Sequence, residues 1–577
     1  MDNLGIARVF TDIGDLLEIK SANPFKVRAY RNAADIVGHM AERIADLTDA
    51  QVRALPGIGK DLSAKIRELS DTGALAYYDE LRQEFPPTIL DLLRLQGVGP
   101  KTVAVLYAER GIATLDDLET AATEGRLRTL KGMGPKKERL LLRALAEHRT
   151  RVGRHLIGHA DDVATRVIDY LRADATDTTI VAVGSLRRGC ETCGDIDLLA
   201  IGTNDQLMSR FTSFPGVERV LGQGSTKSSV LLQGDVQADL RLVPDESAGA
   251  ATQYFTGSKA HNIAVRDLAL QRGLRLNEYG LFRVADDHPV AGASEAEIYA
   301  ALGLAYVPPE LRENRGEIRA AADGALPRLI ERTDLKGDLH SHTTATDGHA
   351  DVETMARAAR DTGLEYLAIT DHSQALAMAN GLDEHRALAH ARHIREVSAR
   401  LDGITLLAGI ECDIRPDGTL DLAEDCLAEL DLVIASVHSA FGQAEAQMTD
   451  RILRAIASPV VDVVGHPTGR LLLRRDPYKL DIEQVLDAAA RAGVAMEINS
   501  QVDRLDLSDI HARLARARGV KLVISTDAHA PAGFDLLRWG VMVARRAWAE
   551  PDDVLNTRPL EAFQASLRRH RKGASAT

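Results

Sequence analysis

Cysteine is scarce: the 577 residues hold four, with Cys190 and Cys193 close together and Cys412 and Cys426 far from both. That is too few for a disulfide framework, and the CxxC has no second pair at ligand spacing, so it reads as loop. A reducing cytoplasm is expected. Long apolar runs are missing too. The opening MDNLGIARVFTDIGDLLEIK carries acids in its first turns, and nothing nears the ~18–20 apolar residues of a membrane span. Neither an export signal nor a membrane partner is expected. Basic charge is also short, 70 Lys+Arg against 84 Asp+Glu for a net −14, and residues 1–340 are no exception with 43 against 49. Phosphate backbones bind through local cations, so any nucleic-acid contact must come from small basic patches and backbone amides. Low-complexity composition is absent: 45% hydrophobic and 27% charged residues exclude a disordered or fibrous chain. At this length several domains are expected.

What is present divides by texture. Residues 1–150 show helical spacing of apolar positions, broken by three similar turns: LPGIGK at 55–60, LQGVGPK at 95–101 and LKGMGPKK at 130–137. Each ends in Pro or Lys at a new helix, which turns backbone N–H groups outward beside a lysine and suits a phosphate without reading bases. One such turn is more often a plain helical corner. Three copies, with Gly57 and Gly59, Gly97 and Gly99, Gly132 and Gly134, and with Lys60, Lys101, Lys136 and Lys137, reverse that reading and resemble helix-hairpin-helix DNA-backbone motifs.

Between 178 and 245 the runs TTIVAVGS, DIDLLAIG, KSSVLLQG and VQADLRLV predict strands of a mixed α/β domain. Asp195 and Asp197, at i and i+2 on one strand, project to the same side. Two carboxylates there can hold divalent ions against a triphosphate, and Asp239 on a later strand would complete the set. The preceding Gly184-Ser185 turn with Arg187 and Arg188 offers donors for phosphate oxygens. Oxygen-only ligands select Mg²⁺ or Mn²⁺. The whole stretch GSLRRGCETCGDIDLLAIG at 184–202, Gly194 included, resembles the nucleotidyltransferase palm of family X DNA polymerases such as DNA polymerase beta.

That resemblance extends both ways. NPFKVRAYRNAA at 23–34 and LPGIGKDLSAKI at 55–66 are similar to the family's small N-terminal domain. By position, Lys26, Tyr30 and Lys60 would face a 5′ phosphate, and Lys65 matches a Schiff-base lysine, although Phe25 replaces the vertebrate histidine. As a lysine near the start of a helix, Lys65 would sit close to the positive helix end. YFTGSKAHN at 254–262 resembles the thumb motif that meets the incoming nucleotide, which carries over to Tyr254, Phe255, Gly257 and Asn262, with Arg266 beside the templating pair; Lys259 and His261 depart from the vertebrate acid and aromatic. Aromatics alone would more often be core.

Histidine is uneven, with 12 of 18 from His340 onward. Strand-like EYLAITDH, ITLLAGIECD, DLVIASVH, VVDVVGH, VAMEINS and KLVISTDAH alternate with Ala-rich helical segments, the pattern of a parallel β/α barrel with chemistry at the strand C-terminal ends. Nine candidate ligands follow the apolar runs: His340, His342, Asp347, His372, Glu411, His438, His466, Asp527 and His529. Imidazole with carboxylate suits Zn²⁺, Mn²⁺ or Fe²⁺. His349, His385, His390, His393 and His511 read as structural. Arg470 reads as either a phosphate contact or a salt bridge. This stretch resembles the PHP (polymerase and histidinol phosphatase) domain, a distorted β/α barrel with up to three metals. The resemblance implies that His340, His342, Glu411 and Asp527 hold one ion, that Glu411 bridges to a second with His438 and His466, and that Asp347, His372 and His529 hold a third.

The expected organisation is therefore an all-α helix-hairpin-helix domain at 1–80, helix-hairpin-helix fingers at 81–150, an α/β palm at 151–245, a small α+β thumb at 246–320, a linker at 321–335 and a PHP barrel at 336–577. The resemblance implies a gap-filling repair polymerase with a metal-dependent 3′–5′ exonuclease, extended by abasic-site endonuclease or lyase activity. It would act on gapped or primed DNA and dNTPs as a monomer, in the cytoplasm with the nucleoid. Two other readings are a PHP small-molecule phosphatase with a non-catalytic DNA-binding half, and a non-catalytic DNA clamp. Both predict eroded polymerase acids, and none is eroded. Because the polymerase acids all precede residue 240 and the barrel ligands all follow 339, each set is expected to assemble within its own domain, and a fragment from about Leu335 to fold alone.

Overall fold

The computed structural model describes residues 3–38, 44, 47–55, 57–95, 98–130, 132–151, 153–173, 178–204 and 206–567. They fall into two compact units, Met1–Val152 and Gly153–Thr577. The first is helical throughout. In Asn3–Ile19 the apolar positions Ile6, Phe10, Ile13, Leu16 and Leu17 recur at helical spacing and form one buried face. Short helices are stopped and restarted by local chemistry: Pro100–Arg110 ends at Gly111 in a left-handed cap, and Leu115–Thr123 begins with a Thr114/Asp117 capping box.

The second unit opens with the helix Ile157–Arg172, whose Ile157, Ala160, Val163, Ala164, Val167 and Leu171 pack on a five-stranded sheet. The sheet order is Thr179–Ala182, Asp195–Ile201, Val236–Val243, Lys227–Leu232, Val217–Gln223. Asp195–Ile201 and Val236–Val243 run parallel, the other pairs antiparallel. The sequence reading missed Val217–Gln223. It is an edge strand, exposed along nearly its whole length, and VERVLGQ has no buried face to impose an alternating pattern. The thumb follows as helices Ala248–Thr256 and Lys259–Gln271 and a three-stranded antiparallel sheet of Leu274–Asn277, Gly280–Arg283 and Pro289–Ala291.

The rest is a parallel barrel. Seven strands follow in sequential order, from Gly337–Asp338 through Tyr366–Ile369, Thr405–Asp413, Leu432–Ser436, Val463–Val464 and Ala495–Asn499 to Leu522–Ser525. Tyr366–Ile369, Leu432–Ser436, Ala495–Asn499 and Leu522–Ser525 are buried at every position, which is why they are mostly apolar, with Glu497 and Asn499 as buried exceptions. A bridge between Ser341 and Ala528 joins the first strand's end to the last, with His342 N–H donating to the Ala528 carbonyl at 2.8 Å.

Palm, thumb and barrel share their interior. One apolar core runs from the palm helix into the barrel, and Trp548 of the barrel packs in the thumb core with Leu302 and Leu311. Residues 153–577 thus cohere as one unit, which runs against the expectation that a fragment from about Leu335 folds alone. Among the described residues no helix is long and apolar enough to cross a membrane.

Candidate active sites and DNA-facing turns

The first site lies where the two parallel palm strands begin. Strand pairing sets Asp197 directly beside Asp239, with Asp195 two residues before Asp197 on the same face. Burial, then Asp195 and Asp239, push the Asp197 carboxyl up to about 6. A carboxylate cluster in such tension is suited to divalent cations. Asp239 meets Lys227 at 3.5 Å and accepts from Gln237 at 3.2 Å. The turn Gly184–Arg187 abuts this group, with Gly184 at φ +64°; a side chain there would collide with the Asp197 carboxylate, so only glycine lets the turn approach.

A cleft of about 500 Å³ opens on Asp195 and Asp197; Asp239 is not in its lining. Gly184, Ser185, Arg188, Asp195, Asp197, Tyr254, Phe255, Gly257, Asn262 and Arg266 line it, together with Lys259. Gly194 is not in the lining; its nearest neighbour is Arg154. Tyr254 and Phe255 meet edge to face at 5.1 Å and are half-buried rather than core. Asn262 is fixed by donating to the Tyr254 carbonyl at 2.7 Å and accepting from Gln253 at 2.9 Å. Arg188 reaches Glu313 at 3.1 Å and donates to the Thr256 carbonyl. Arg187, expected beside the phosphates, instead pairs with Glu295 at 2.7 Å and turns from the cleft. His261 is buried between Glu317 and Tyr299, at 2.7 and 2.8 Å, as a thumb core residue.

The second site sits at the C-terminal ends of the barrel strands. All nine expected ligands converge there. Glu411 is the hub: its carboxylate lies 2.8 Å from His372, 2.9 Å from His466, 3.2 Å from His438, 3.4 Å from His340 and 3.7 Å from His342. Asp527 lies 3.0 Å from His342 and 3.7 Å from His340; Asp347 lies 3.4 Å from His372 and 3.5 Å from His529. Three metal-sized groups result: His340, His342 and Asp527; His372, Glu411 and His438; and His342, Asp347, His372 and His529. The grouping departs from the expected one: His372 joins Glu411 and His438, His342 serves two groups, Glu411 falls in one group rather than two, and His466, 2.9 Å from Glu411, falls in none. Burial and the adjacent His529 and His372 push His342 down to about 4, the neutral form that ligates, while for His372 burial is outweighed by Glu411 and Asp347 together, which raise it to about 10. The donor atoms fit divalent ions. His340 Nε2, both His342 nitrogens, His372 Nδ1, His466 Nδ1 and one Glu411 oxygen are buried without a hydrogen-bond partner, a costly arrangement for protein groups alone. His466 and Asp527 adopt positive φ, 26° and 53°, a strain concentrated at functional positions.

Several buried groups escaped the sequence reading. Glu497 accepts from His340 Nδ1 at 2.8 Å and from the His466 amide, and Asn499 donates to Asp527 at 3.1 Å. The signal was available: VAMEINS places an acid in an otherwise apolar strand. His390, read as structural, does hydrogen-bond Asp371 at 2.8 Å, beside the ligand His372. Of the two readings for Arg470, the salt bridge holds: it pairs with Glu191 of the palm and donates to the carbonyls of Arg504 and Leu505.

In the N-terminal unit, Gly59 and Gly99 cap Lys60–Thr72 and Pro100–Arg110, and Gly134 precedes Pro135–Arg151. A side chain added at Gly59, Gly99, Gly132 or Gly134 meets nothing within 4 Å, so these turns are open to an approaching backbone, and Gly57 and Gly132 use positive φ. Gly97 lies outside the described residues. Lys60, Lys101 and Lys136 are exposed, and Lys26 donates to Tyr77 at 2.9 Å. Tyr30, expected to face phosphate, is 1% exposed and packs edge-on against Phe10, a core residue. Lys65 lies in the second turn of its helix rather than the first and pairs with Asp61, 5.0 Å above the Tyr77 ring.

Comparison with known proteins gives the same parts. A helix-hairpin-helix domain family matches residues 1–75, a SAM-like helix-hairpin-helix tandem 89–147, the DNA polymerase beta thumb 251–313 and the PHP domain 338–501. Probable phosphatases of Thermoanaerobacter sp. strain X514 and of Shewanella oneidensis are 32% and 31% identical, over 38% and 34% of this chain and 89% and 79% of their own. The DNA polymerase/3′-5′ exonuclease PolX of Bacillus subtilis strain 168 is 38% identical over 99% of this chain and 100% of its own length. With helix-hairpin-helix region, polymerase thumb and PHP barrel in one order along a full-length match, the chain belongs to the PolX family of family X DNA polymerases.

Proposed function

We propose that this protein is a DNA polymerase with 3′–5′ exonuclease activity that fills short gaps by template-directed nucleotidyl transfer and trims 3′ ends in its barrel. One observation carries the reading: the palm cleft gathers Asp195 and Asp197 with the glycine, serine, arginine and aromatic residues of a nucleotide site, and Asp239 stands beside Asp197, in a chain whose full-length relative is named a polymerase and exonuclease. Asp195, Asp197 and Asp239 would hold Mg²⁺ or Mn²⁺. Bound there, such ions supply charge neutralisation on the triphosphate and lower the cost of deprotonating the primer 3′-hydroxyl. Ser185, the turn amides and Arg188 grip the triphosphate oxygens. Tyr254 and Phe255 offer flat faces to sugar and base, while Asn262 and Arg266 set the nucleotide against its template partner.

In the barrel, the nine ligands would hold up to three Mn²⁺, Zn²⁺ or Fe ions, which supply a nucleophile and stabilise the leaving oxygen. Glu497 fixes His340 with its other nitrogen facing the carboxylates. The open glycine turns and Lys60, Lys101 and Lys136 hold the DNA backbone, and Lys65 is proposed as the nucleophile toward an incised abasic site. The protein would act as a cytoplasmic monomer at the nucleoid. The small-molecule phosphatase reading rests on relatives matching about a third of the chain and leaves the palm cleft without a role. A primer-template assay in Mn²⁺, with and without dNTPs, tests the proposal. Templated extension with nucleotides and 3′ shortening without them are expected. Phosphate release from small monoesters, with neither DNA reaction, would refute it.

A further inference from the structure

The palm segment from Arg188 to Asp195 carries the nucleotide-gripping arginine at one end and a polymerase acid at the other, and its outer side is held by the barrel. Arg546, 8% exposed on the barrel helix Leu537–Arg546, donates to the Arg188 carbonyl at 2.8 Å and to Glu313 at 3.0 Å. Glu313 is the same carboxylate that fixes the Arg188 guanidinium at 3.1 Å. Burial opposes charge on Glu313, but Arg546 and Arg188 outweigh it and hold the carboxyl below its usual range. Arg546 is itself oriented by Asp509 at 3.0 Å. One residue on, Met542 of the same helix covers Gly189, where any side chain would collide with it. Two residues further, Glu191 pairs with Arg470, four residues after the candidate ligand His466.

We infer that Arg546 is a positioning residue for DNA synthesis, supplied by the exonuclease barrel, which sets the dNTP grip of Arg188 through Glu313. The chemistry favours this over plain domain docking. A docking pair needs only two opposite charges, whereas here one guanidinium binds both the backbone and the carboxylate partner of the nucleotide-gripping side chain. Removing Arg546 leaves Glu313 with Arg188 as its one cationic partner beside the Cys190 thiol, so Arg188 is drawn further onto Glu313 and away from the triphosphate, while its own carbonyl loses its donor. Both bonds leave one nitrogen, Nη1, while Nη2 meets Asp509, so lysine can keep the contacts to Arg188 and Glu313 but not the one to Asp509 as well.

The inference rests on the polymerase reading, and single-nucleotide incorporation by the full chain separates the two. No incorporation by the unaltered protein refutes the polymerase reading itself. With incorporation established, Arg546→Gln is expected to raise the dNTP KM at least tenfold while kcat changes less than threefold. Arg546→Lys should recover part of that loss, and 3′–5′ degradation and barrel metal content should stay within twofold. Arg538→Gln breaks a different palm–barrel pair, with Asp161 at 2.9 Å, and should leave the KM unchanged. An unchanged KM in folded Arg546→Gln overturns the inference, as does an equal rise in Arg538→Gln, which would make the effect one of docking. If Arg546→Gln does not fold, Asp509→Asn is read in its place: a threefold or larger KM rise supports the inference and an unchanged KM overturns it.

Discussion

Asp197→Asn should make the metal-free protein more stable while abolishing synthesis. Asp197 is raised from 3.8 to about 6 by burial and then by Asp195 and Asp239. A carboxyl raised on folding binds more protons when folded, so its favourable contribution is complete below about 4, is lost as pH rises through about 6, and leaves a penalty above that. The interval corresponds to ~2–3 kcal/mol at pH 7.5. Asparagine has nearly the same shape and no charge, so it relieves the penalty. Guanidinium titrations with EDTA at pH 5 and pH 7.5 read this directly, because any contribution of the barrel is common to both proteins. The variant should gain ~2 kcal/mol over the parent at pH 7.5 and about half of that at pH 5. Adding Mg²⁺ should stabilise the parent and not the variant, and incorporation should fall by orders of magnitude. Equal advantage at both pH values, or none, would refute the claim that the three acids strain one another.

Glu411→Ala should abolish 3′ shortening and lower bound transition metal measured by elemental analysis, because the hub of the barrel acids is lost, while primer extension persists. Glu497→Gln should weaken metal affinity by roughly 10–100-fold in calorimetric titration, since it orients His340 without being a proposed ligand itself. Lys101→Ala or Lys136→Ala should flatten the plot of log DNA affinity against log salt by about one unit per lost phosphate contact. Borohydride trapping on an incised abasic site should give an adduct that disappears in Lys65→Ala; an adduct of full yield in that variant excludes Lys65 as the nucleophile.

Much of this was legible because chemistry and periodicity coincide. The barrel ligands each follow an apolar run, so strand ends and donor types could be read together, and Asp195/Asp197 sit at strand spacing. What escaped reading falls into two kinds. Edge strands such as Val217–Gln223 lack a buried face and leave no alternation. Partners distant in sequence, such as Glu313 with Arg546 or Glu191 with Arg470, carry no local signature. A charged residue is ambiguous until its partner is known, which is why Arg187 and Arg188, adjacent in sequence, diverge to Glu295 and to the cleft. Tyr30 shows the converse error: its match to a phosphate-side position did not reveal that Phe10 and Tyr77 would enclose it.

The bridge between Ser341 and Ala528 has a temporal consequence. The candidate ligands His340 and His342 stand at the first barrel strand, whereas Asp527 and His529 stand just beyond the last, and the hydrogen bond from His342 to Ala528 is what brings the two ends together. During synthesis the palm acids and thumb residues of the polymerase cleft have all emerged by Arg266, but the group His340, His342 and Asp527 has no third member until about 260 further residues are made. The order of the chain therefore withholds hydrolysis until both ends of the barrel are made. A ribosome stalled anywhere before Asp527 releases a product that cannot complete its nuclease, and a truncated chain errs on the side of leaving DNA ends intact.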